Sequence, residues 1–218
     1  MRNGRLAPLF GAFLLIAGCA APGDTFDKWF GPGPVQKPNE LVNFKPVATA
    51  KVIWRASVGT NEKLVFTPAI ANNVVYATGA SGQILAIDGA TGKTLTRIDS
   101  KASLTGGIGT DGETIVVGSS RGEVLAMDKT GKSLWKEQLT SEILSAPQVQ
   151  SGVVVVRTGD GRLYGLDAGS GKRKWLYQRA LPPLTVRTSV SVMVFRGGVF
   201  AGFPGGRLVA LGLENGAV

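Results

Sequence analysis

Three aspartates at nearly constant spacing are the first candidates for chemistry in this chain. Asp88, Asp128 and Asp167 lie 40 and 39 residues apart, and each follows a short apolar run. Three carboxylates brought together by a fold could act as ligands of a metal ion. An aspartate can equally accept hydrogen bonds from the turn that follows it. Because each of the three precedes its own glycine-containing turn, we predict the turn role for all of them.

The same turns contain Gly-Lys pairs that imitate part of a phosphate-binding loop. The pairs occur in Gly92-Lys93-Thr94 and Gly131-Lys132-Ser133. A phosphate-binding loop needs another glycine five residues before the pair and a helix after it. Ile87 and Ala126 stand at those places, and a strand pattern follows. The phosphate-loop interpretation is therefore rejected.

Histidine is absent, and the only cysteine is Cys19. The absence of histidine removes the usual catalytic triads and the common transition-metal sites. Cys19 follows the apolar run Leu9–Ala17, which is too short for a permanent membrane span and is preceded by Arg2 and Arg5. This pattern resembles a bacterial lipoprotein signal, in which the cysteine is lipidated and becomes the first mature residue. An ordinary signal peptide with an incidental cysteine is the alternative.

The lipoprotein resemblance also implies a location. Ala20 and Ala21 follow the cysteine, where an aspartate would favour retention in the inner membrane. We therefore expect residues 1–18 to be a signal peptide and the mature chain to be anchored at the periplasmic face of the outer membrane. Residues 19–48 are rich in proline and glycine, which indicates an extended tether.

Beyond the tether, a repeat of about forty residues organises the chain. Each repeat consists of short alternating runs separated by glycine-rich turns, with no helical period. This repeat length is typical of a β-propeller blade. We predict an all-β partial propeller over residues 49–218, with four-stranded antiparallel blades near the following ranges: 64–99, 104–139, 144–180 and 186–218.

Tryptophans mark the outermost strands of this pattern. Trp135 and Trp175 each lie four residues after a turn glycine, and Trp54 has the same phase without three strands before it. Residues 49–58 are therefore interpreted as an orphan outer strand, and the last repeat ends before its own. Either these ends pair in a closed four-bladed ring, or the sequence is the N-terminal half of a larger ring, which we favour. The tryptophans are predicted to be packing wedges between blades.

The formal net charge of +9 could indicate nucleic acid or an anionic membrane. The lysines and arginines are scattered, however, and often stand at hairpin tips. We interpret them as solvated charges and expect no nucleic-acid partner.

One connection between repeats breaks the pattern. After Trp175, the sequence Leu181-Pro182-Pro183-Leu184-Thr185-Val186-Arg187 places apolar residues and an arginine where a polar loop is expected. Such a segment could anchor an interface. It could equally be a strand that begins early, with Leu184 and Val186 in the core.

Four features together resemble the BamB family of lipoproteins. They are the lipoprotein cysteine, the tether, the blades with the pattern Gly-x-Leu-x-Ala-x-Asp-x-x-Thr-Gly-Lys, and the loop with the pattern Leu-Pro-x-Leu-x-x-Arg. The resemblance implies an eight-bladed ring with no enzymatic activity and no cofactor. It also implies that the protein binds the periplasmic domains of BamA and helps to deliver or orient unfolded barrel proteins. Leu184, Val186 and Arg187 match the family's partner-binding loop. Gly212, which replaces the turn aspartate, departs from the repeat.

Proteins with two other functions share this blade pattern. One is a pyrroloquinoline-quinone dehydrogenase, whose calcium ligands and adjacent cysteines are not visible in the sequence. The other is a generic periplasmic propeller that binds a different protein.

Overall fold

The computed structural model describes residues 39–40, 47–59, 64–183 and 189–218. Contacts divide the chain into two units, Met1–Thr49 and Ala50–Val218. Every strand of the described residues lies in the second unit. No helix among these residues is long and apolar enough to cross a membrane.

The second unit consists of four antiparallel sheets, which we call blades 1 to 4. Neighbouring strands along the chain pair within each blade. Blade 1 contains β1 (Ala69–Ala71), β2 (Val74–Thr78), β3 (Gln83–Asp88) and β4 (Thr94–Asp99). Blade 2 contains β5 (Leu104–Thr110), β6 (Thr114–Ser119), β7 (Glu123–Asp128) and β8 (Ser133–Gln138). Blade 3 contains β9 (Gln148–Gln150), β10 (Val153–Arg157), β11 (Arg162–Asp167) and β12 (Arg173–Gln178).

Blade 4 differs from the other three because it has only three strands. They are β13 (Met193–Phe195), β14 (Gly198–Phe203) and β15 (Arg207–Gly212), and β15 is the edge. Residues 49–58, interpreted above as an orphan outer strand, have no strand assignment. The all-β partial propeller predicted from the repeat is confirmed by these sheets.

The hairpins form because their turn residues accept left-handed backbone conformations. Asn72 and Asn73 connect β1 and β2 with φ values of 50° and 60°. This conformation matches the right-handed twist of the flanking strands, and asparagine tolerates it better than most residues. In blade 3, Ser151 and Gly152 make the equivalent turn.

The blades lie side by side, with their first strands β1, β5, β9 and β13 in contact from one blade to the next. Each sheet is apolar on both faces in its central strands, so β6 and β10 are almost entirely buried. Three separate cores result. One lies between blades 1 and 2, the next between blades 2 and 3, and the last between blades 3 and 4.

A bulge recurs at the same place in the three complete blades. The register between the third and fourth strands shifts after Ala86, Ala126 and Gly165. These small residues lie opposite Thr96, Trp135 and Trp175. A bulge bends its strand locally, and here it lies directly beside the position that carries the tryptophan.

Candidate functional site

The repeated aspartates hold their own turns. Oδ1 of Asp88 accepts hydrogen bonds from the backbone nitrogen and the hydroxyl of Thr91, both at 2.7 Å. Oδ1 of Asp128 accepts from the Thr130 hydroxyl at 2.6 Å, and Oδ1 of Asp167 accepts from the Ser170 hydroxyl at 2.7 Å. The predicted turn role is confirmed for all three aspartates.

These hydrogen bonds change the acidity of the carboxyl groups. The hydroxyl of Thr91 lowers the pKa of Asp88, that of Thr130 lowers the pKa of Asp128, and that of Ser170 lowers the pKa of Asp167. A hydrogen bond to the charged form stabilises that form. Among the described residues there is no group of three or more histidine, cysteine, aspartate or glutamate side chains that could hold a metal ion.

Two tryptophans join blade 2 to blade 3 and blade 3 to blade 4. Nε1 of Trp135, on blade 2, donates a hydrogen bond to the carbonyl of Ala168 on blade 3 at 2.7 Å. Nε1 of Trp175, on blade 3, donates to the carbonyl of Leu213 on blade 4, also at 2.7 Å. Both rings are at least nine-tenths buried. The predicted role of these residues as wedges between blades is confirmed.

Trp54 makes the same contact at the start of the propeller. Its Nε1 donates to the carbonyl of Gly89 in blade 1 at 2.9 Å, and its ring lies against Gly92. Trp54 therefore occupies the place, relative to blade 1, that Trp135 occupies relative to blade 3. Although residues 51–59 form no ladder, they stand where the outer strand of a preceding blade would stand.

The predicted partner-binding residues Leu184, Val186 and Arg187 lie outside the described residues, as does Cys19. The structure places the two ends of their loop. It leaves blade 3 after β12 and enters blade 4 at β13. Leu181 packs on the β10–β11 turn, with its Cδ2 2.7 Å from where a Cβ on Gly161 would lie.

Pro182 and Pro183 follow Leu181 and are exposed, and on the far side Val190 is 48% exposed. The start of the loop is thus held against blade 3, while the residues that flank its centre face solvent.

An arginine and two aromatic residues, which the sequence analysis missed, lie near the end of blade 3 from which this loop leaves. Arg157, Leu163 and Tyr177 face one another on neighbouring strands of blade 3. Nη1 of Arg157 donates a hydrogen bond to the carbonyl of Gly202 in blade 4 at 2.8 Å. The guanidinium carbon lies 5.1 Å from the ring centroid of Phe203, whose ring is 5.9 Å from that of Tyr177.

Burial lowers the pKa of Arg157, but an arginine side chain stays protonated in proteins. A cation over an aromatic face is favourable and strengthens as water is removed. The sequence contains one signal that could have identified Arg157: a large cationic residue stands at a repeat position that is small in the other three blades. Strand register identifies these small counterparts as Thr78, Gly118 and Gly202.

A second polar group fixes the β10–β11 turn beside the loop. Asp160 accepts hydrogen bonds from the hydroxyl of Thr140 at 2.8 Å and from Nη1 of Arg162 at 2.7 Å. Its other oxygen accepts from the hydroxyl of Thr158 at 2.5 Å. Burial would raise the pKa of Asp160, but the hydrogen bonds from Thr158 and Thr140 and the charge of Arg162 lower it. The carboxylate is satisfied within the protein, which indicates a structural role.

At this end of blade 3 a partly buried cation lies beside aromatic side chains, close to the point where the loop begins. Arginine and aromatic side chains are the residue types that contribute most of the affinity where proteins bind one another.

The chain is similar in sequence and in fold to known proteins. Residues 80–218 match the family model described as outer membrane protein assembly factor BamB. The chain is 44% identical over 179 residues to the outer membrane protein assembly factor BamB of Nitrosomonas eutropha. That alignment covers 82% of this chain and 44% of the relative.

Solved structures show the same architecture. The crystal structure of BamB from Moraxella catarrhalis aligns with a TM-score of 0.63 at 27% identity, over 70% of this chain and 46% of that chain. A quinohemoprotein alcohol dehydrogenase from Pseudomonas putida HK5 aligns with a TM-score of 0.58 at 18% identity, over 73% of this chain and 34% of that one. At that identity the likeness to the dehydrogenase concerns the fold alone.

The chain spans about half the length of the curated relatives it matches. The family match covers more than half of the chain and includes blades 2, 3 and 4. The chain therefore belongs to the outer membrane protein assembly factor BamB family.

Proposed function

We propose that this protein is a non-catalytic scaffold that takes part in assembly of outer-membrane β-barrel proteins. It binds the periplasmic domains of BamA and aids insertion of barrel proteins, which it also contacts in their unfolded state. The family match over residues 80–218 is the observation that carries this proposal. The relatives are outer membrane protein assembly factors, which supplies the process, and the loop between blades 3 and 4 supplies the candidate contact.

The proposed contact uses Leu184 and Val186 as apolar anchors. Arg187 donates a charge-assisted hydrogen bond to a carboxylate or carbonyl of the partner. The packing of Leu181 on Gly161 supports this proposal, because a loop held at its base loses less conformational freedom on binding. Arg157, which is partly buried beside Phe203, lies at the end of blade 3 from which this loop leaves.

Lipidation of Cys19 would keep this surface near its partner. Acyl chains on the cysteine hold the protein at the periplasmic face of the outer membrane, and residues 20–48 span the distance to the propeller. Mass spectrometry of the mature N-terminus tests this part of the proposal. An unmodified Cys19 would contradict it.

The contact itself is tested by charge reversal in the chain expressed from its own chromosomal locus. We expect Arg187→Glu to abolish co-purification of BamA, because the reversed charge repels the acceptor and leaves it unpaired. Removing one partner of such a charge pair costs about 2–5 kcal/mol. Arg173→Glu is the matched control, since Arg173 is exposed on β12 of the same blade and lies outside the loop.

Co-purification should be lost for Arg187→Glu and retained for Arg173→Glu, with equal amounts of both variants in the membrane fraction. Equal recovery of BamA with both variants would overturn the assignment of the loop. Loss with both variants would also overturn it, because the effect would then follow net charge.

A further inference from the structure

The connection between blades 2 and 3 covers one end of the core between these blades with an apolar side chain. Ile143 of this connection is 0% exposed and belongs to that core. It lies directly over Gly118 in β6, because a Cβ on Gly118 would clash with Cγ2 of Ile143. Residues 143–147 are all buried. The glycine therefore leaves the space into which the connection folds.

The connection between blades 1 and 2 follows the same rule. Leu104 is 0% exposed and belongs to the core between blades 1 and 2. It stands eight residues after Thr96, as Ile143 stands eight residues after Trp135, and both reference residues occupy the bulged position of an outer strand. The end of the second strand in blade 1 carries Thr78, which is also small. A small residue there accompanies a buried apolar residue in the connection.

The connection between blades 3 and 4 departs from this rule. The residue eight positions after Trp175 is Pro183, which is exposed. On the other side of residues 184–188, which lie outside the described residues, residues 189–191 are exposed as well. The described ends of this connection therefore stay at the surface, whereas the other two connections enter a core.

Arg157 covers the end of the core at this junction. It stands at the end of β10, where blade 1 has a threonine and blade 2 a glycine. Its Nη1 donates to the carbonyl of Gly202 in blade 4 at 2.8 Å, and its guanidinium lies over Phe203. Phe203 and Leu163, which is opposite Arg157, both belong to the core between blades 3 and 4. The aliphatic stem of an arginine can cover an apolar surface while its charged head stays near water.

We propose that Arg157 is a positioning residue, which fills the end of the core between blades 3 and 4 and thereby keeps the connection between them at the surface. A small residue at this place would leave room for an apolar side chain of the connection, and burial of that side chain would be favourable. The consequence for partner binding rests on the proposed function, in which the connection carries Leu184, Val186 and Arg187.

Thiol labelling tests the position of the connection without any partner. Pro183→Cys is introduced into the full chain, and its reaction with a maleimide is followed by mass spectrometry of the peptide that carries it, so that Cys19 does not contribute. We expect Arg157→Thr to slow this reaction about tenfold or more, because the connection then folds into the core. Threonine is the residue that blade 1 has at this place, so the strand should tolerate it.

Arg157→Met is the matched variant for the steric effect. Its side chain fills the same space without a charge and packs favourably on an aromatic ring such as Phe203. It should leave the labelling rate at Pro183→Cys close to that of the chain with Arg157. Gln178→Cys controls for the fold, because Gln178 is exposed on β12 outside the connection, and its labelling should be the same with all three residues at position 157.

Recovery of BamA separates this proposal from the proposed function. We expect co-purification of BamA to decrease with Arg157→Thr and to be retained with Arg157→Met. If the labelling follows the expected order while BamA is recovered equally with both variants, the assignment of the loop as the BamA contact fails. The positioning role of Arg157 would stand in that case.

Three labelling results would overturn the positioning role. Equal labelling of Pro183→Cys with arginine and threonine at position 157 would mean that Arg157 does not hold the connection outside the core. Slower labelling with Arg157→Met as well would mean that the charge matters rather than the space filled. Faster labelling with Arg157→Thr at both Pro183→Cys and Gln178→Cys would mean that the variant opens blade 3 instead of drawing the connection inward.

Discussion

At the scale of single residues, the contact between a tryptophan and a glycine of the next blade carries the architecture. Trp135 lies over Gly171, and Trp175 lies over Gly216. In each pair the indole nitrogen also bonds to a backbone carbonyl of that blade. Glycine is required at this position for two reasons: its φ is positive, and a Cβ would clash with the indole ring of the tryptophan.

The steric part of this contact can be measured separately from the backbone part. Gly171→Ala places a Cβ 2.6 Å from Cε3 of Trp135, whereas Gly152→Ala meets nothing within 4 Å. Their φ values are +73° and +74°. We expect Gly152→Ala to lower the free energy of unfolding by about 1 kcal/mol and Gly171→Ala by about 2–4 kcal/mol. Urea denaturation measures both, and equal losses would contradict the wedge.

The turn aspartates predict how stability depends on pH. The hydroxyl of Thr130 lowers the pKa of Asp128 below its ordinary value of 3.8. The carboxylate therefore stabilises the fold above the unfolded-state pKa, and this contribution is lost as the pH falls through the lower folded-state pKa. Calorimetry should show that Tm decreases as the pH is lowered below about 4. The decrease should be smaller for Asp128→Asn.

Thr130→Val provides the control for this pH dependence. It keeps the carboxylate and removes the hydroxyl that donates to it at 2.6 Å. In a carbon-detected NMR titration, the pKa of Asp128 should rise toward its ordinary value. An unchanged titration curve would show that the hydroxyl has no effect on the carboxylate.

At the scale of elements, the hairpin between β13 and β14 has turn residues that are poorly suited to their backbone conformation. Arg196 and Gly197 connect the two strands with φ values of 49° and 77°. Asparagine suits the first of these positions better than arginine does. The Arg196 guanidinium compensates in part, because it lies 5.1 Å from the ring centroid of Phe195.

Replacing Arg196 should therefore stabilise the hairpin. Relief of the left-handed strain contributes about 1 kcal/mol, and loss of the exposed cation–π contact costs about 0.5 kcal/mol. We expect Arg196→Asn to raise the free energy of unfolding by about 0.5 kcal/mol in urea denaturation. Arg196→Lys keeps both the left-handed strain and a cation near Phe195. It should change the free energy of unfolding by no more than a few tenths of a kcal/mol. A destabilised Arg196→Asn variant would show that the cation–π contact is the larger effect.

At the scale of the whole molecule, stability should vary from blade to blade. Blades 2 and 3 contribute to a core on both faces, whereas the described residues of blade 4 share a core only with blade 3. The burial of the second strands reflects this, since β6 is buried along almost its whole length and β14 only at alternate residues.

Hydrogen exchange should follow the same order. In this chain, amides of β14 should exchange at least tenfold faster than those of β6, because local opening of a blade that shares a core on one face only exposes less apolar surface. Mass spectrometry of the corresponding peptides measures both. Equal protection would mean that the four blades unfold as one cooperative unit.

The sequence was sufficient for the features that depend on local spacing. The recurrence of aspartate, glycine and lysine every forty residues predicted the blades, and the phase of Trp135 and Trp175 predicted wedges between them. These predictions succeeded because strand alternation and turn geometry are set by neighbouring residues. The predicted roles of Cys19, Leu184, Val186 and Arg187 lie outside the described residues and stay predictions.

The tertiary structure was needed wherever residues distant in sequence meet. Arg157 became visible as part of a site only when β10 placed it beside Gly202 and Phe203 of the next blade. The difference between Leu208 and Leu163 is equally invisible in sequence, since both occupy the same place in the repeat. Burial depends on what lies against a face, and that is decided by the packing of whole sheets.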